Sequence, residues 1–192
     1  MFNGLQKKYT DHALLAAFAD GDRGAAQQLT EQLMPKIHAH AYYRLGNITD
    51  AEDVTQEAFL RLWKVAPKWK QDKAQVSTWL YRVVSNLCKD RHRRTNLEEI
   101  VSVQEPTNES QSPTSKIEDQ LRQKALYTAM STLPNSQRLA VQLRHIDELS
   151  NPQIAEIMEL SIEAVESLIA RGKRKLTKIL QSHKSELGYR HD

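Results

Sequence analysis

The stretch DAEDVTQEAFLRLW, residues 50–63, carries the clearest structural pattern in the chain. Apolar residues recur there at helical intervals and form one stripe: Val54, Ala58, Phe59, Leu62 and Trp63. Thr49 or Asp50 can cap the N-terminus of such a helix, and acidic residues in its first turn suit the helix dipole. The pattern predicts an amphipathic helix that begins near Asp50 and is ended by Pro67.

The composition of the whole chain predicts an all-α protein. Gly and Pro are sparse, at 6 each, and helix-forming residues dominate the 192 positions. No sustained alternation of apolar and polar residues, as in a half-buried strand, is visible. Upstream of the 50–63 helix we expect one helix capped by Asp11, a break at 20–22, and a second helix from about Gly24 that Gly46 ends in the left-handed conformation.

Downstream of that helix, the pattern divides the chain into two domains. Ser77 or Thr78 can cap a helix that runs to about Arg94. The segment that follows is polar, contains Pro and Ser, and lacks the apolar residues that would offset its chain entropy, so it predicts a linker. We therefore predict two small helical domains joined by a flexible linker: a domain over 11–94, the linker over 95–116 and a domain over 117–180.

Charge is distributed unevenly, although the net charge is only +3. Basic residues are concentrated in 68–94 and 171–178, and acidic residues lie between them, in 96–119. Two basic blocks are typical of surfaces that bind a polyanion. Charge alone, however, favours the simpler interpretation of solvated helix faces.

Cysteine usage and hydropathy restrict the compartment. The single cysteine, Cys88, excludes an intramolecular disulfide, and its apolar neighbours predict a buried structural thiol. Residues 1–10 lack the apolar core of a signal peptide, and no stretch approaches the ~20 apolar residues of a membrane span. We expect a cytoplasmic protein without membrane insertion.

Residues 149–171 predict a helix-turn-helix. Ser150 or Asn151 can cap a first helix, Pro152 suits its first turn, and Ser161 can cap a second helix after a short turn. The residues expected to face inward are apolar: Ile154, Ala155, Met158, Val165, Leu168 and Ile169. In a helix-turn-helix the second helix enters the major groove, and the basic residues at 171–175 would lie against phosphates. The alternative is a helical hairpin with no role in DNA binding.

Three segments resemble the sigma-70 family of bacterial transcription factors. Residues 50–63 match the polymerase-binding motif of that family, D-A-E-D-x-x-Q-E-x-F-L-x-L-W, at every fixed position. Residues 79–86, WLYRVVSN, resemble the W-L-x-R-I-x-x-N motif of the same domain. Residues 133–138 and the helix-turn-helix are similar to the family's −35-binding domain. By these motifs the chain is identified as a member of the extracytoplasmic-function (ECF) sigma factors, group 4 of the family.

The resemblance implies an alternative sigma factor that binds core RNA polymerase and directs promoter-specific transcription initiation, with no cofactor and no catalysis of its own. The first domain would bind the clamp helices of the largest polymerase subunit and would recognise and melt the −10 element of promoter DNA. The second domain would bind the −35 element. Small sigma factors are commonly held inactive by an anti-sigma factor, and the linker would let both domains close around one, so we expect such a partner.

The resemblance and the helical spacing together assign three groups of site residues. The polymerase-binding group lies at spacings that put several members on one helix face: Asp50, Asp53, Gln56, Glu57 and Leu60. The −10 group interleaves basic and polar residues with rings on which unstacked bases can rest: Lys68, Trp69, Lys70, Lys73, Trp79, Arg82, Asn86, Lys89 and Arg93. The −35 group comes from the helix-turn-helix: Ser161, Glu163, Ala164, Glu166, Ser167, Arg171, Lys173 and Arg174.

Residue type favours the core for several of the aromatic side chains. Phe59, Leu62 and Trp63 are expected to be core residues rather than contacts. Trp79 is expected to pack in the core although it also belongs to the −10 group, and Trp69 suits the core and a DNA contact equally.

The chain departs from its relatives at two places. Many relatives have a Gly-Ser or similar pair before the Trp-Leu motif, where this chain has residues 75–78, QVST. Glu166 stands where many relatives have Lys or Arg. A glutamate can accept a hydrogen bond from a cytosine amino group but repels phosphate, so the −35 sequence cannot be copied from a relative.

Two other classes of function share single features with this sequence. A stand-alone helix-turn-helix transcriptional regulator would carry a sensory or receiver domain, and the motif at 50–63 argues against it. The second alternative is an enzyme with a metal site. His38 and His40 would point about 200° apart on a helix and cannot chelate one ion, and solvent exposure explains the carboxylates at the start of the 50–63 helix. No nucleophile–base arrangement and no Gly-rich phosphate loop is visible.

Overall fold

The computed structural model describes residues 10–70, 75–99, 126 and 128–182. The chain separates into two units, Met1–Val101 and Ser102–Asp192. Every regular element in the described ranges is a helix or a turn, which confirms the prediction of an all-α protein.

The first unit begins with two helices, α1 (Asp11–Ala19) and α2 (Arg23–Leu45). The hydroxyl of Thr10 accepts a hydrogen bond from the backbone N–H of Ala13 at 3.3 Å, so the prediction of Asp11 as the cap is wrong. Asp22 caps α2, because its Oδ1 accepts from the backbone N–H of Gly24 at 2.8 Å. Gly46 ends α2 with φ at 69°, which confirms the predicted left-handed end.

Helix α3 (Ile48–Val65) follows at once and ends in a 3₁₀ turn (Ala66–Lys68). Its start lies two residues before Asp50, near where it was predicted, but the predicted Thr49 or Asp50 cap is wrong. The side chain of Asn47 accepts a hydrogen bond from the backbone N–H of Asp50 at 3.0 Å. Asn47, which directly follows Gly46, therefore caps α3.

Helix α4 (Val76–Glu99) begins earlier and ends later than predicted. The carbonyl of Gln75 accepts from the backbone N–H of Trp79 at 3.0 Å, so Ser77 and Thr78 lie inside the helix and neither caps it. The helix continues beyond Arg94 to Glu99. The prediction that the linker begins at residue 95 is therefore wrong, because residues 95–99 belong to α4; the rest of the predicted linker, 100–116, lies outside the described residues.

The core of the first unit is formed where α2 packs against α1, α3 and α4. Its fully buried large side chains come from all four helices: Leu15, Leu29, Ile37, Leu62, Leu80 and Val84. Each contributes about 2 kcal/mol or more when it leaves water. Cys88 is also fully buried, and burial raises the pKa of its thiol to about 11, which confirms the predicted structural thiol.

The second unit contains helical residues at 128–131, followed by α5 (Asn135–His145), α6 (Asn151–Met158) and α7 (Ile162–Ser182). Its fully buried side chains include Leu143, Ile154 and Val165. Of the residues predicted to face inward on α6, Ile154 and Ala155 are buried, but Met158 is only half-buried and Ile157 is buried instead. On α7, Val165 is buried as predicted, whereas Leu168 and Ile169 are half-buried.

Candidate functional site

Helix α3 presents one exposed face that carries the predicted polymerase-binding group. Asp53, Gln56, Glu57 and Leu60 are exposed and Asp50 is half-buried. At 100° per residue these five positions fall within about 120° of one another, opposite the buried stripe. Leu60 is 56% exposed and adds an apolar side chain to this acidic surface.

Two arginines organise the carboxylates on this face. Arg91 of α4 donates from Nη2 to Asp50 and to Asp53, the latter at 3.2 Å. Arg61 donates from Nε to Glu57 at 2.8 Å along α3 itself. Arg91 follows the buried stripe of α4, so this member of the basic block at 68–94 is directed to α3.

Helix α4 presents a second exposed face, on the side opposite Arg91. Arg82, Asn86, Lys89 and Arg93 are all exposed, and their spacings of four, three and four place them within about 60° of one another. This face carries three cationic residues and one amide in a single row along the helix. Such a row follows a phosphate backbone well.

The two tryptophans of the −10 group lie against each other beside α1. Their ring centroids are 5.8 Å apart at an interplanar angle of 84°, and both residues are half-buried. The indole N–H of Trp69 donates to Nδ1 of His12 at 3.2 Å. Trp79 therefore packs in part as expected, while Trp69 is held by α1 and remains partly accessible. Lys68 and Lys70 are exposed, and Lys73 lies outside the described residues.

The expected core positions near this site are mostly buried. Phe59 is 4% exposed and Leu62 is fully buried. Trp63 is half-buried and its ring lies 4.7 Å from that of Phe18. Trp63 therefore packs against α1, and the burial of Phe59 and Leu62 leaves them poorly placed to contact a partner directly.

The helix-turn-helix is formed by α6, a turn at 159–161 and α7. Oε1 of Gln153 accepts from the backbone N–H of Ser150 at 3.0 Å, which fixes the start of α6. The hydroxyl of Ser161 accepts from the backbone N–H of Ala164 at 3.2 Å, which confirms it as the cap of α7. Glu159, at the end of α6, adopts the left-handed conformation with φ at 56°.

Most of the predicted −35 residues are exposed along α7: Ser161, Glu163, Glu166, Ser167, Arg171, Lys173 and Arg174. Ala164 is half-buried. Hydrogen bonds from its own backbone and from Ser161 lower the pKa of Glu163 from 4.5, so this carboxylate belongs to the helix terminus. Glu166 accepts from Nδ2 of Asn151, in α6, at 3.1 Å.

The structural roles of three residues in these helices were not predicted from the sequence: Arg91, Asn151 and Gly172. Gly172 is buried in α7, and a methyl group added there would lie 2.6 Å from Cγ2 of Val141. A glycine on the apolar stripe of a helix is a sequence signal for close helix packing. The pairings of Arg91 and Asn151 have no comparable local signal.

In the part of the chain that the structure describes, no three His, Cys, Asp or Glu side chains converge as a metal ion would require. His40 is fully buried and lies 3.0 Å from the hydroxyl of Ser85. No helix in the described part of the chain is long and apolar enough to cross a membrane.

Comparison with known proteins identifies the family. The chain matches the family Sigma-70 region 2 over residues 29–98 and Sigma-70, region 4 over residues 123–176. It is 31% identical over 172 residues to the ECF RNA polymerase sigma factor SigW of Bacillus subtilis (strain 168), covering 84% of this chain and 91% of that protein. The chain belongs to the ECF sigma factors. Like the rest of this family, it is an alternative sigma factor, which directs RNA polymerase to particular promoters.

Other relatives extend along nearly the whole of this sigma factor. The ECF RNA polymerase sigma-E factor of Escherichia coli (strain K12) is 28% identical over 189 residues, covering 92% of this chain and 97% of that protein. A structure of CnrH in complex with the cytosolic domain of CnrY aligns with a TM-score of 0.70 at 25% identity, covering 90% of this chain and 97% of that one. The sigma factor RpoE of Bartonella quintana, solved with the anti-sigma factor NepR, shares the fold at 19% identity, with a TM-score of 0.66 and 81% and 96% coverage.

Proposed function

We propose that this sigma factor binds core RNA polymerase and promoter DNA through three helical surfaces. The exposed face of α3 binds the clamp helices of the largest subunit of core RNA polymerase. The exposed row on α4, with the tryptophan pair beside it, binds and melts the −10 element. Helix α7 binds the −35 element. In this proposal, helices α1 to α4 form the first functional domain, 117–180 is the second, and the chain after α4 links them.

The observation that carries the proposal is the separation of the acidic and basic faces in the first unit. Asp53 and Glu57 lie on an exposed face of α3 that also carries Leu60, whereas Lys89 and Arg93 lie on an exposed face of α4. An apolar side chain among carboxylates suits a basic protein partner, because charge guides the encounter and the apolar contact adds affinity. A cationic row beside half-buried rings suits unstacked DNA.

The sigma factor is proposed to act without catalysis of its own, in the cytoplasm, where the polymerase and the chromosome are. It determines the site at which the polymerase starts transcription. Melting then requires that −10 bases exchange their stacking in the duplex for contacts with protein, which costs a few kcal/mol per base.

Transcription in vitro tests the proposal. The purified chain is mixed with core polymerase and a pool of genomic promoter fragments, and the 5′ ends of transcripts are mapped. Discrete start sites that require the chain are expected. Glu57→Lys should weaken core binding and transcription together, because it reverses charge on the docking face. Glu31→Lys, an exposed glutamate on α2, makes the same charge change elsewhere and should have little effect.

Loss of core binding in both variants, or in neither, would contradict the assignment of the α3 face. A folded wild-type chain that yields no transcripts with its cognate core enzyme would contradict the function as a whole. Lys89→Ala provides the matching test on α4: it should impair open-complex formation while core binding is retained.

We also propose that an anti-sigma factor controls this chain. Two proteins of the same fold were solved in complexes: CnrH with the cytosolic domain of CnrY, and the sigma factor RpoE with the anti-sigma factor NepR. Purification of the native protein under non-inducing conditions should recover a third protein that blocks core binding. Recovery only as the free chain or as holoenzyme would count against this regulator.

A further inference from the structure

A hydrogen bond links the two helices of the helix-turn-helix at the surface. Asn151 is the first residue of α6, and its Nδ2 donates to Oε1 of Glu166 in the second turn of α7 at 3.1 Å. Glu166 is exposed, whereas Oδ1 of Asn151 is buried and accepts no hydrogen bond from the described residues. The carboxylate sets the orientation of the amide, because a reversed amide would bring two oxygen acceptors together.

The start of α6 holds Asn151 in place. This residue lies between Ser150 and Gln153, whose side-chain and backbone hydrogen bonds of 2.8 Å and 3.0 Å close the start of α6. One turn further on, the fully buried side chain of Ile154 fixes α6 in the core. A free glutamate on a helix surface samples many rotamers, and holding one of them in advance removes part of the entropy cost of binding.

The second carboxylate oxygen of Glu166 has no partner within the described part of the chain, so it can accept a hydrogen bond from a ligand. In the major groove, cytosine offers an amino donor at N4, whereas guanine offers only the acceptors O6 and N7. Adenine offers a donor at N6 beside the acceptor N7, which repels a carboxylate. A held glutamate at this position therefore favours cytosine most and guanine least.

We propose that Asn151 is a specificity-determining positioning residue. It holds the carboxylate of Glu166 so that Glu166 reads a cytosine at one position of the −35 element and rejects guanine there. This inference rests on the proposed role of α7 as the −35-binding helix.

Base selection by the holoenzyme tests the inference. Holoenzymes formed with the full chain carry the wild-type sequence, Glu166→Ala or Asn151→Ala, and each selects from promoters with a randomised −35 region. The wild type should prefer cytosine over guanine at one position by about tenfold or more. Glu166→Ala should abolish that preference. Asn151→Ala should reduce it about threefold or more at the same position and leave the other positions unchanged.

Asn135→Ala is the matched control. Like Asn151, Asn135 is the first residue of a helix, but it is exposed and its side chain accepts a hydrogen bond from Arg138 within the same helix. The control should select the same −35 sequence as the wild type. Thermal unfolding of all variants separates base selection from loss of fold, because a purely structural role would lower affinity for every sequence alike.

Three other outcomes would overturn either the positioning role of Asn151 or the function proposed for α7. A change with Glu166→Ala but none with Asn151→Ala overturns the positioning role and leaves −35 binding intact. An equal loss for all sequences with Asn151→Ala also overturns it, since that result describes a phosphate contact or a structural residue. Failure of the wild-type holoenzyme to select any −35 sequence overturns the proposed function of α7.

Discussion

Gly172→Ala should destabilise the second unit, although the same change in most helices is stabilising. Alanine has the better helix propensity by about 1 kcal/mol, so an exposed glycine in a helix usually gains from this substitution. Gly172 is buried, however, and the new methyl carbon would lie 2.6 Å from Cγ2 of Val141 and 3.4 Å from the carbonyl oxygen of Gln137. Carbon atoms in contact are ordinarily about 3.5–4.0 Å apart.

The side chain of Val141 cannot easily give way. A valine in a helix has one strongly preferred rotamer, and Val141 is only 5% exposed in the core between α5 and α7. The two helices must therefore separate, and overpacking of this kind costs about 1–3 kcal/mol. The overlap is deep, so its cost falls in the upper part of that range. When the gain in helix propensity is subtracted, the free energy of unfolding should fall by about 1–2 kcal/mol.

The three tryptophans give this experiment an internal control. Trp63, Trp69 and Trp79 all lie in the first unit, so tryptophan fluorescence follows that unit alone while circular dichroism follows both. In urea, Gly172→Ala should lower the circular dichroism transition of the second unit and leave the fluorescence transition where it is. Ala170→Gly, at an exposed position of the same helix, calibrates the propensity term and should cost about 1 kcal/mol.

A double variant separates the clash from other effects. Val141→Ala removes the methyl group that Gly172→Ala meets, so the two changes together should cost less than the sum of their separate effects. Strict additivity, or a Gly172→Ala protein as stable as the wild type, would refute the argument that close packing of α5 and α7 requires a glycine.

Three further outcomes follow from the structure. Burial raises the pKa of the Cys88 thiol to about 11, so thiol reagents at pH 8 should label the native chain slowly and the chain in urea quickly. Mass spectrometry measures both rates, and rapid labelling of the native chain would contradict this expectation. Arg91→Ala should cost about 1 kcal/mol at low salt and less at high salt, because its two ion pairs are partly exposed; a loss independent of salt would point to packing. Because its pKa is lowered, ionised Glu163 stabilises α7 at pH values above the ordinary pKa of 4.5. This contribution is lost as the pH falls through the lowered pKa. An NMR titration midpoint for Glu163 at or above 4.5 would exclude it.

Local pattern was sufficient to predict the helices and the helix-turn-helix. Periodicity and caps depend on residues three and four apart, which the sequence displays directly. The left-handed end at Gly46 and the Ser161 cap were predicted in this way. Several errors lie at helix boundaries, such as the starts at Asn47 and Gln75 and the end at Glu99, where neighbouring residues could begin or end the helix and packing selects one of them.

Pairings between distant segments were decided only by the tertiary structure. The sequence predicted an acidic face on α3 and a basic block near α4, but Arg91 reaches Asp50 across 41 positions of chain. Likewise, Asn151 meets Glu166 only because the turn between α6 and α7 brings the two helices together. A side chain's helix face is set by local geometry, whereas its partner depends on how separate helices pack. The sequence by itself therefore determined the family and the helix faces, and the packing of the helices decided which charges on those faces are held by a neighbour and which are exposed to a partner.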